Sequence, residues 1–150
     1  MGRRLVMVRG GILRLRMIAA ALLAATLVSG LASRRFRHVL PYAIGEYGGD
    51  TLWATAVFFG LRLVRPAARP HLVAAAALGI AVAVELSQLA HPPWLDALRH
   101  QPGVGLILGY GFMSSDLACY AAGVALGWIL DAGVHGVCRR APGAGAGVHK

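Results

Sequence analysis

The stretch HLVAAAALGIAVAVELSQLA, residues 71–90, decides the class of fold. A helix over this range is about 30 Å long, which matches the hydrocarbon core of a bilayer. Near its far end stand Glu85 and Gln88. They are three residues apart and therefore share one helix face. The stretch predicts a membrane-spanning helix with a polar pair close to one end.

The composition extends this interpretation to the whole chain. Of the 150 residues, 57% are hydrophobic and only 14% are charged, whereas a soluble domain carries about 25% charged residues. The net charge of +9 comes from basic residues that stand in the gaps between apolar runs, as the positive-inside rule predicts. They form no aromatic-interleaved patch, so we expect membrane lipids and no nucleic acid as partners.

Three further apolar runs cover residues 17–33, 51–64 and 115–137. The run 51–64 is short for a spanning helix, so it must recruit flanking residues, thin the bilayer or let Arg62 snorkel. The segment 103–112 is too short to cross and predicts a re-entrant or interfacial piece, and residues 92–102 predict a brief interfacial helix. The expected fold is an all-α polytopic membrane helix bundle of about four transmembrane helices plus this short segment.

This organisation divides the chain into a basic cytoplasmic leader (1–16), a four-helix membrane domain (17–137) and a disordered cytoplasmic tail (138–150). The leader and the run after it also fit a secretory signal, with Gly30 and Ala32 at cleavage-like spacing. An uncleaved first helix is the favoured alternative, because Glu85 needs a partner near Ser33.

The distribution of basic residues predicts that both termini are cytoplasmic in a multi-pass protein of a bacterial cytoplasmic (inner) membrane. The leader, the loop after residue 61 and the tail lie inside and hold most of them. Arg34, Arg35, Arg37 and Arg99 then face outward. Either these residues have a function, or the leader simply dominates the orientation.

The same topology gathers five of the six acidic residues on the outer side: Glu46, Asp50, Glu85, Asp96 and Asp116. An ionised carboxylate in hydrocarbon costs several kcal/mol and usually finds a partner. We expect Glu85 to be partnered by Arg34 or Arg35. The pair either belongs to a functional site or only locks two helices together.

In the fourth run, Asp116, Tyr120, Gly123 and Gly127 form one stripe. The two glycines let another helix approach closely and could also mediate a homo-oligomer. The histidines lack metal-ligand spacing, and there is no nucleotide loop, so we expect no metal and no cofactor. The candidate polar pocket therefore consists of Arg34, Arg35, Asp50, Glu85, Gln88, Asp96, Arg99, Asp116 and Tyr120.

Several segments together resemble a family of small bacterial membrane proteins, domain of unknown function 2809. They are GLASR (30–34), LPYAIGEYGGDTLWA (40–54), ELSQL (85–89), WLDALR (94–99) and LILGYGFMSSDLACYAAG (106–123). A more distant resemblance is to VanZ-like proteins, associated with teicoplanin resistance, whose pattern Glu85, Gln88, Asp116, Gly123 and Gly127 match. Tyr120 stands where that pattern has Asn, so this resemblance implies a shared fold more than a shared ligand.

Three functions fit the sequence. The first is an outward-facing pocket that binds a polar or anionic cell-envelope or lipid molecule through arginines. The second is an integral-membrane enzyme on a lipid-linked substrate, with Glu85 or Asp116 as acid or base. No nucleophile–base constellation supports it, so the sequence favours binding over catalysis. The third, a small proton-coupled exporter, is less favoured because Glu85 lies away from the midplane.

Overall fold

The computed structural model describes residues 2–101, 103–109 and 111–140, which form six helices and no strand. The helices are α1 (Gly2–Arg35), α2 (Tyr42–Val64), α3 (Pro70–Ser87), α4 (Pro93–Arg99), α5 (Val104–Leu108) and α6 (Ser114–Arg140). The predicted all-α fold is confirmed.

Three helices within the described residues are long and apolar enough to cross a membrane: Gly10–Arg35, Pro70–Ser87 and Ser114–His135. The sequence predicted about four. The difference is α2, which at 23 residues is roughly 35 Å long but carries Glu46, Asp50 and Arg62. With these charges, α2 is not among the helices that are long and apolar enough to cross. The chain is a polytopic membrane helix bundle.

Helices α1, α2 and α6 extend beyond the predicted apolar runs, whereas α3 ends at Ser87, before the predicted end at residue 90. Helix α1 begins at Gly2, so the basic leader continues the helix, as its Leu and Arg residues with good helix propensity allow. Helix α2 begins at Tyr42, directly after Pro41 and well before residue 51. The predicted boundaries at 16/17 and 137/138 thus fall inside α1 and α6. Residues 141–150 of the predicted tail lie outside the described residues.

Helix α2 is the centre of the bundle and packs against α1, α3 and α6, while α3 also packs against α6. Phe58 and Phe59 of α2 are almost fully buried, with ring centroids 5.4 Å apart in an edge-to-face arrangement. From α3, Val73, Ala77 and Ala81 complete the core. Their spacing of four places them in one stripe along the helix.

Gly123 and Gly127 of α6 pack against α2 of the same chain. A Cβ atom at Gly123 would stand 2.1 Å from the Thr51 carbonyl oxygen, and one at Gly127 would stand 2.9 Å from the Phe58 ring. Across the same contact, Thr55 donates a 2.8 Å hydrogen bond to the Gly123 carbonyl. The stripe proposed for a homo-oligomer is therefore buried in an intramolecular interface.

The two ends of the bundle have different buried ionisable residues. We call them the Glu85 end and the Arg62 end. At the Glu85 end lie the C-terminal ends of α1 and α3, the N-terminal ends of α2 and α6, and the short helices α4 and α5. At the Arg62 end lie the C-terminal end of α2 and the C-terminal half of α6, where Arg62 pairs with Asp131.

Candidate functional site

Glu85 is fully buried, with 0% of its surface exposed. It follows Ala81 by four residues, so it is the last member of the buried stripe that Val73, Ala77 and Ala81 form along α3. This stripe packs against α2 and α6, so the Glu85 carboxylate lies inside the bundle.

Three neutral groups hold the Glu85 carboxylate. Gln88 Nε2 donates to Oε2 at 3.0 Å, and the Tyr120 hydroxyl donates to the same oxygen at 2.8 Å. The backbone N–H of Met113 donates to Oε1 at 2.7 Å. The sequence predicted Arg34 or Arg35 as the partner. The structure instead supplies hydrogen-bond donors from α3, α6 and the segment before α6, which together compensate the loss of hydration.

A polar cavity of about 160 Å³ lies beside this carboxylate at the Glu85 end. Its lining residues come from α1, α2 and α6, from the C-cap of α3 and from the segment that includes α5: Arg34, Asp50, Trp53, Gln88, Ile107, Gly109, Gly111, Asp116 and Tyr120. The Trp53 and Tyr120 rings pack against each other with centroids 5.4 Å apart. Glu85 stands directly behind Gln88 and Tyr120, so these two side chains connect the buried carboxylate to the cavity wall.

Arg34 and Asp50 form a 2.8 Å ion pair on this wall. Gly49 makes the pair possible, because a Cβ atom there would stand 2.8 Å from Arg34 Nε. Asp116, at the start of α6, accepts a 3.2 Å hydrogen bond from Ser115. The polar cavity thus has one guanidinium and two carboxylates on its wall, with Glu85 behind them.

Five of the nine residues predicted from the sequence line the polar cavity: Arg34, Asp50, Gln88, Asp116 and Tyr120. Glu85 adjoins it through its hydrogen bonds. Arg35, Asp96 and Arg99 lie elsewhere.

Arg99 is buried and makes contacts within the α3–α4 corner. It donates to the Ser87 carbonyl at 2.6 Å, to the Ala90 carbonyl at 3.0 Å and to Asp96 at 2.9 Å. A basic side chain on the last carbonyls of a helix stabilises its C-terminal end. Arg99 and Asp96 therefore hold the end of α3, which carries Glu85 and Gln88.

Sequence reasoning did not assign Trp53, Gly109 or the Met113 backbone to the site. Gly109 has φ of 65° and ends α5, and a Cβ atom there would stand 2.6 Å from Gln88 Nε2. The sequence predicted a re-entrant or interfacial piece over residues 103–112, but the contact between Gly109 and Gln88 depends on how this segment packs against the end of α3.

Gly109→Ala is expected to lower the free energy of unfolding by at least about 1 kcal/mol, because a left-handed backbone is strained for alanine and the methyl group meets Gln88. Thermal unfolding in detergent micelles measures this. Gly111→Ala is the matched control, since its Cβ atom would meet nothing within 4 Å. Equal melting temperatures for the two variants would contradict the proposed contact between Gly109 and Gln88.

An apolar groove of about 240 Å³ adjoins the polar cavity. It lies between α1 and α2 and is partly covered by the α5 segment, with lining residues Thr26, Leu27, Gly30, Leu31, Arg34, Gly49, Leu52, Trp53, Gly103 and Ile107. The groove and the polar cavity share Arg34, Trp53 and Ile107. The two sites therefore lie side by side, with these three residues between them.

The bundle has a buried ion pair at the Arg62 end. Arg62 forms a two-pronged ion pair with Asp131 and is only 3% exposed. Snorkelling of Arg62 was one of three alternatives that the short run 51–64 left open. The partner of Arg62 could not be identified because Asp131 lies far along the chain, on α6.

These features define a class of protein: a polytopic membrane helix bundle with a buried, hydrogen-bonded carboxylate beside a polar cavity. Residues 39–124 match the family model described as protein of unknown function (DUF2809). The match covers more than half of the chain, and the chain belongs to this family. The matched range includes Asp50, Glu85, Gln88, Asp116 and Tyr120, whereas Arg34 and Asp131 lie outside it. No solved structure matches the chain.

Proposed function

We propose that the protein binds one lipid-like amphiphile, with its polar headgroup in the polar cavity and an apolar chain along the apolar groove. The observation that carries this proposal is that the two sites are adjacent and share Arg34, Trp53 and Ile107 in their walls. A wholly polar solute would leave the groove unused, and a wholly apolar one would place carbon against the charged side chains of Arg34, Asp50 and Asp116 on the cavity wall.

The charges around the polar cavity favour a headgroup with hydrogen-bond donors. Asp50, Glu85 and Asp116 outnumber Arg34, and Arg34 is paired with Asp50. A headgroup with amino or hydroxyl groups complements such a wall, since carboxylates accept hydrogen bonds. A purely anionic ligand has less support than the sequence suggested, because Arg35 and Arg99 lie outside the cavity.

Binding is better supported than catalysis or proton-coupled export. Three hydrogen bonds fix the Glu85 carboxylate in place, whereas a general base must reach the proton that it abstracts. The excess of arginines at the Arg62 end favours the orientation in which the Glu85 end faces outward from a bacterial cytoplasmic membrane.

The test uses Trp53 as a reporter, since it lines both sites. Trp94 and Trp128 are exposed and are replaced by Phe, which leaves Trp53 as the only tryptophan. The purified variant in detergent is titrated with a short-chain, chain-brominated phosphatidylethanolamine. Bromine quenches tryptophan fluorescence at short range, so occupancy of the apolar groove is expected to quench Trp53 saturably.

Two substitutions in the same background distinguish quenching by lipid bound in the site from quenching by lipid dissolved in the detergent micelle. Gln88→Leu and Asp116→Asn are expected to weaken the quenching titration at least about fivefold, corresponding to about 1 kcal/mol. Glu46→Gln is the matched control, because this acidic residue of α2 lies outside the polar cavity. Quenching that never saturates, or that is equal in all variants, would contradict the proposal.

A further inference from the structure

A second cleft, of about 560 Å³, opens at the Arg62 end and is separate from the polar cavity and the apolar groove. It is lined by Leu15, Arg62, Pro66, Ala67, Ala68, Arg69, Pro70, Ala132 and His135. These residues come from α1, the α2–α3 turn, the start of α3 and the C-terminal half of α6. We name it the basic cleft because its ionisable lining residues are Arg62, Arg69 and His135.

Arg62 fixes the shape of this cleft. Besides its ion pair with Asp131, it donates to the Ala68 carbonyl at 2.7 Å and to the Pro66 carbonyl at 3.2 Å. These bonds tie the α2–α3 turn to the end of α2. The turn therefore holds Arg69 at the rim of a preformed cleft, and a ligand does not have to order it.

The charge around the basic cleft is strongly positive. Asp131 is the one acidic residue of the sequence at this end, and Arg62 neutralises it. Arg14 and Arg16 flank the lining residue Leu15, and Arg65 stands in the same turn as Arg69. The local excess of cations attracts a phosphate group.

We infer that the basic cleft binds the phosphate of an anionic phospholipid, with Arg69 as its principal contact. Basic pockets between transmembrane helices bind anionic lipid headgroups in this way. The walls formed by Leu15, Ala67 and Ala132 suit the adjoining glycerol and acyl carbons, which free phosphate does not have. Pro70, where a membrane-length helix begins, lines the same cleft. This site is independent of the lipid site proposed at the Glu85 end.

The experiment titrates the detergent-purified full-length protein with short-chain phosphatidylglycerol, with phosphatidylcholine of equal chain length and with inorganic phosphate. Native mass spectrometry counts bound lipid, and thermal unfolding reports its effect. Phosphatidylglycerol is expected to bind at least about fivefold more tightly than phosphatidylcholine. Arg69→Gln should remove this preference, whereas Arg37→Gln, an exposed arginine at the Glu85 end, should keep it.

A second pair of variants changes the shape of the cleft but not its charge. Ala132→Leu fills the cleft and is expected to reduce phosphatidylglycerol binding. At the neighbouring Gly133→Leu the new side chain enters open space, and binding should remain. The inference is overturned if the two phospholipids bind equally, if Arg69→Gln keeps the preference, or if inorganic phosphate reproduces the effect of phosphatidylglycerol.

Discussion

Asp131→Ala is expected to destabilise the protein by roughly 3–5 kcal/mol, the usual effect of removing one partner of a buried ion pair. The reason is Arg62, which is 3% exposed and would keep its charge inside the bundle without its carboxylate. The free energy of unfolding in mixed micelles, obtained from a denaturant titration, measures the loss. The basic cleft should also open, because the same guanidinium holds the α2–α3 turn.

The double variant Arg62→Met with Asp131→Leu distinguishes the effect of an unpaired buried charge from the effect of losing the contact between the two side chains. Replacing a buried pair by apolar side chains of similar volume is often neutral or stabilising. We expect the double variant to recover most of the lost free energy of unfolding. The part that is not recovered comes from the hydrogen bonds between Arg62 and the two carbonyls of the α2–α3 turn. Arg37→Ala is a control for surface charge, since Arg37 and Glu46 are 4.0 Å apart and 67% and 39% exposed. A double variant as unstable as Asp131→Ala would contradict the argument from buried charge.

Gly123→Ala is the second substitution with a large expected effect. Its methyl group would stand 2.1 Å from the Thr51 carbonyl oxygen, a backbone atom that cannot rotate away. Helices α2 and α6 must move apart, which would also break the hydrogen bond from Thr55 to the Gly123 carbonyl. Overpacking of this kind costs about 1–3 kcal/mol, and we expect a loss at the upper end of that range.

Gly79→Ala is the matched control for this prediction. Gly79 lies in the middle of α3, and a Cβ atom there would meet nothing within 4 Å. Alanine favours a helix over glycine by up to about 1 kcal/mol, so this variant should equal or exceed the parent in stability. Gly127→Ala should be intermediate, since the Phe58 ring that it meets is a side chain and can shift. Equal stability of all three variants would show that α2 and α6 do not approach as closely as described.

The apolar runs and the polar cavity illustrate how far local sequence pattern reaches. The alternation of apolar runs with basic gaps predicted the helical membrane bundle, and the spacing of Glu85 with Gln88 placed both on one face. Asp116 and Tyr120 were assigned to the same region because their stripe on α6 starts at the same end. All of these inferences depend on the length of an apolar run or on helix periodicity, which are properties of residues close together in the sequence.

Contacts between distant segments depended on tertiary packing. The sequence predicted an arginine as the partner of Glu85, but the carboxylate instead accepts hydrogen bonds from the backbone N–H of Met113 and the hydroxyl of Tyr120. Arg34 pairs with Asp50 instead, across a contact that Gly49 keeps open. Arg99 was predicted to contact a ligand. Its guanidinium instead donates to backbone carbonyls at and just after the end of α3, because the corner between α3 and α4 brings Arg99 next to them.

The sequence by itself determined that this chain is a membrane helix bundle and that Glu85 lies inside it near one end. Burying a carboxylate among alanines requires polar partners, whichever they are. Only the tertiary structure decided that these partners are neutral, that Arg62 pairs with Asp131, and that an apolar groove adjoins the polar cavity. The physical reason is that burial follows from the pattern along one helix, whereas the partner of a buried charge depends on which helices pack together and how closely their glycines let them approach.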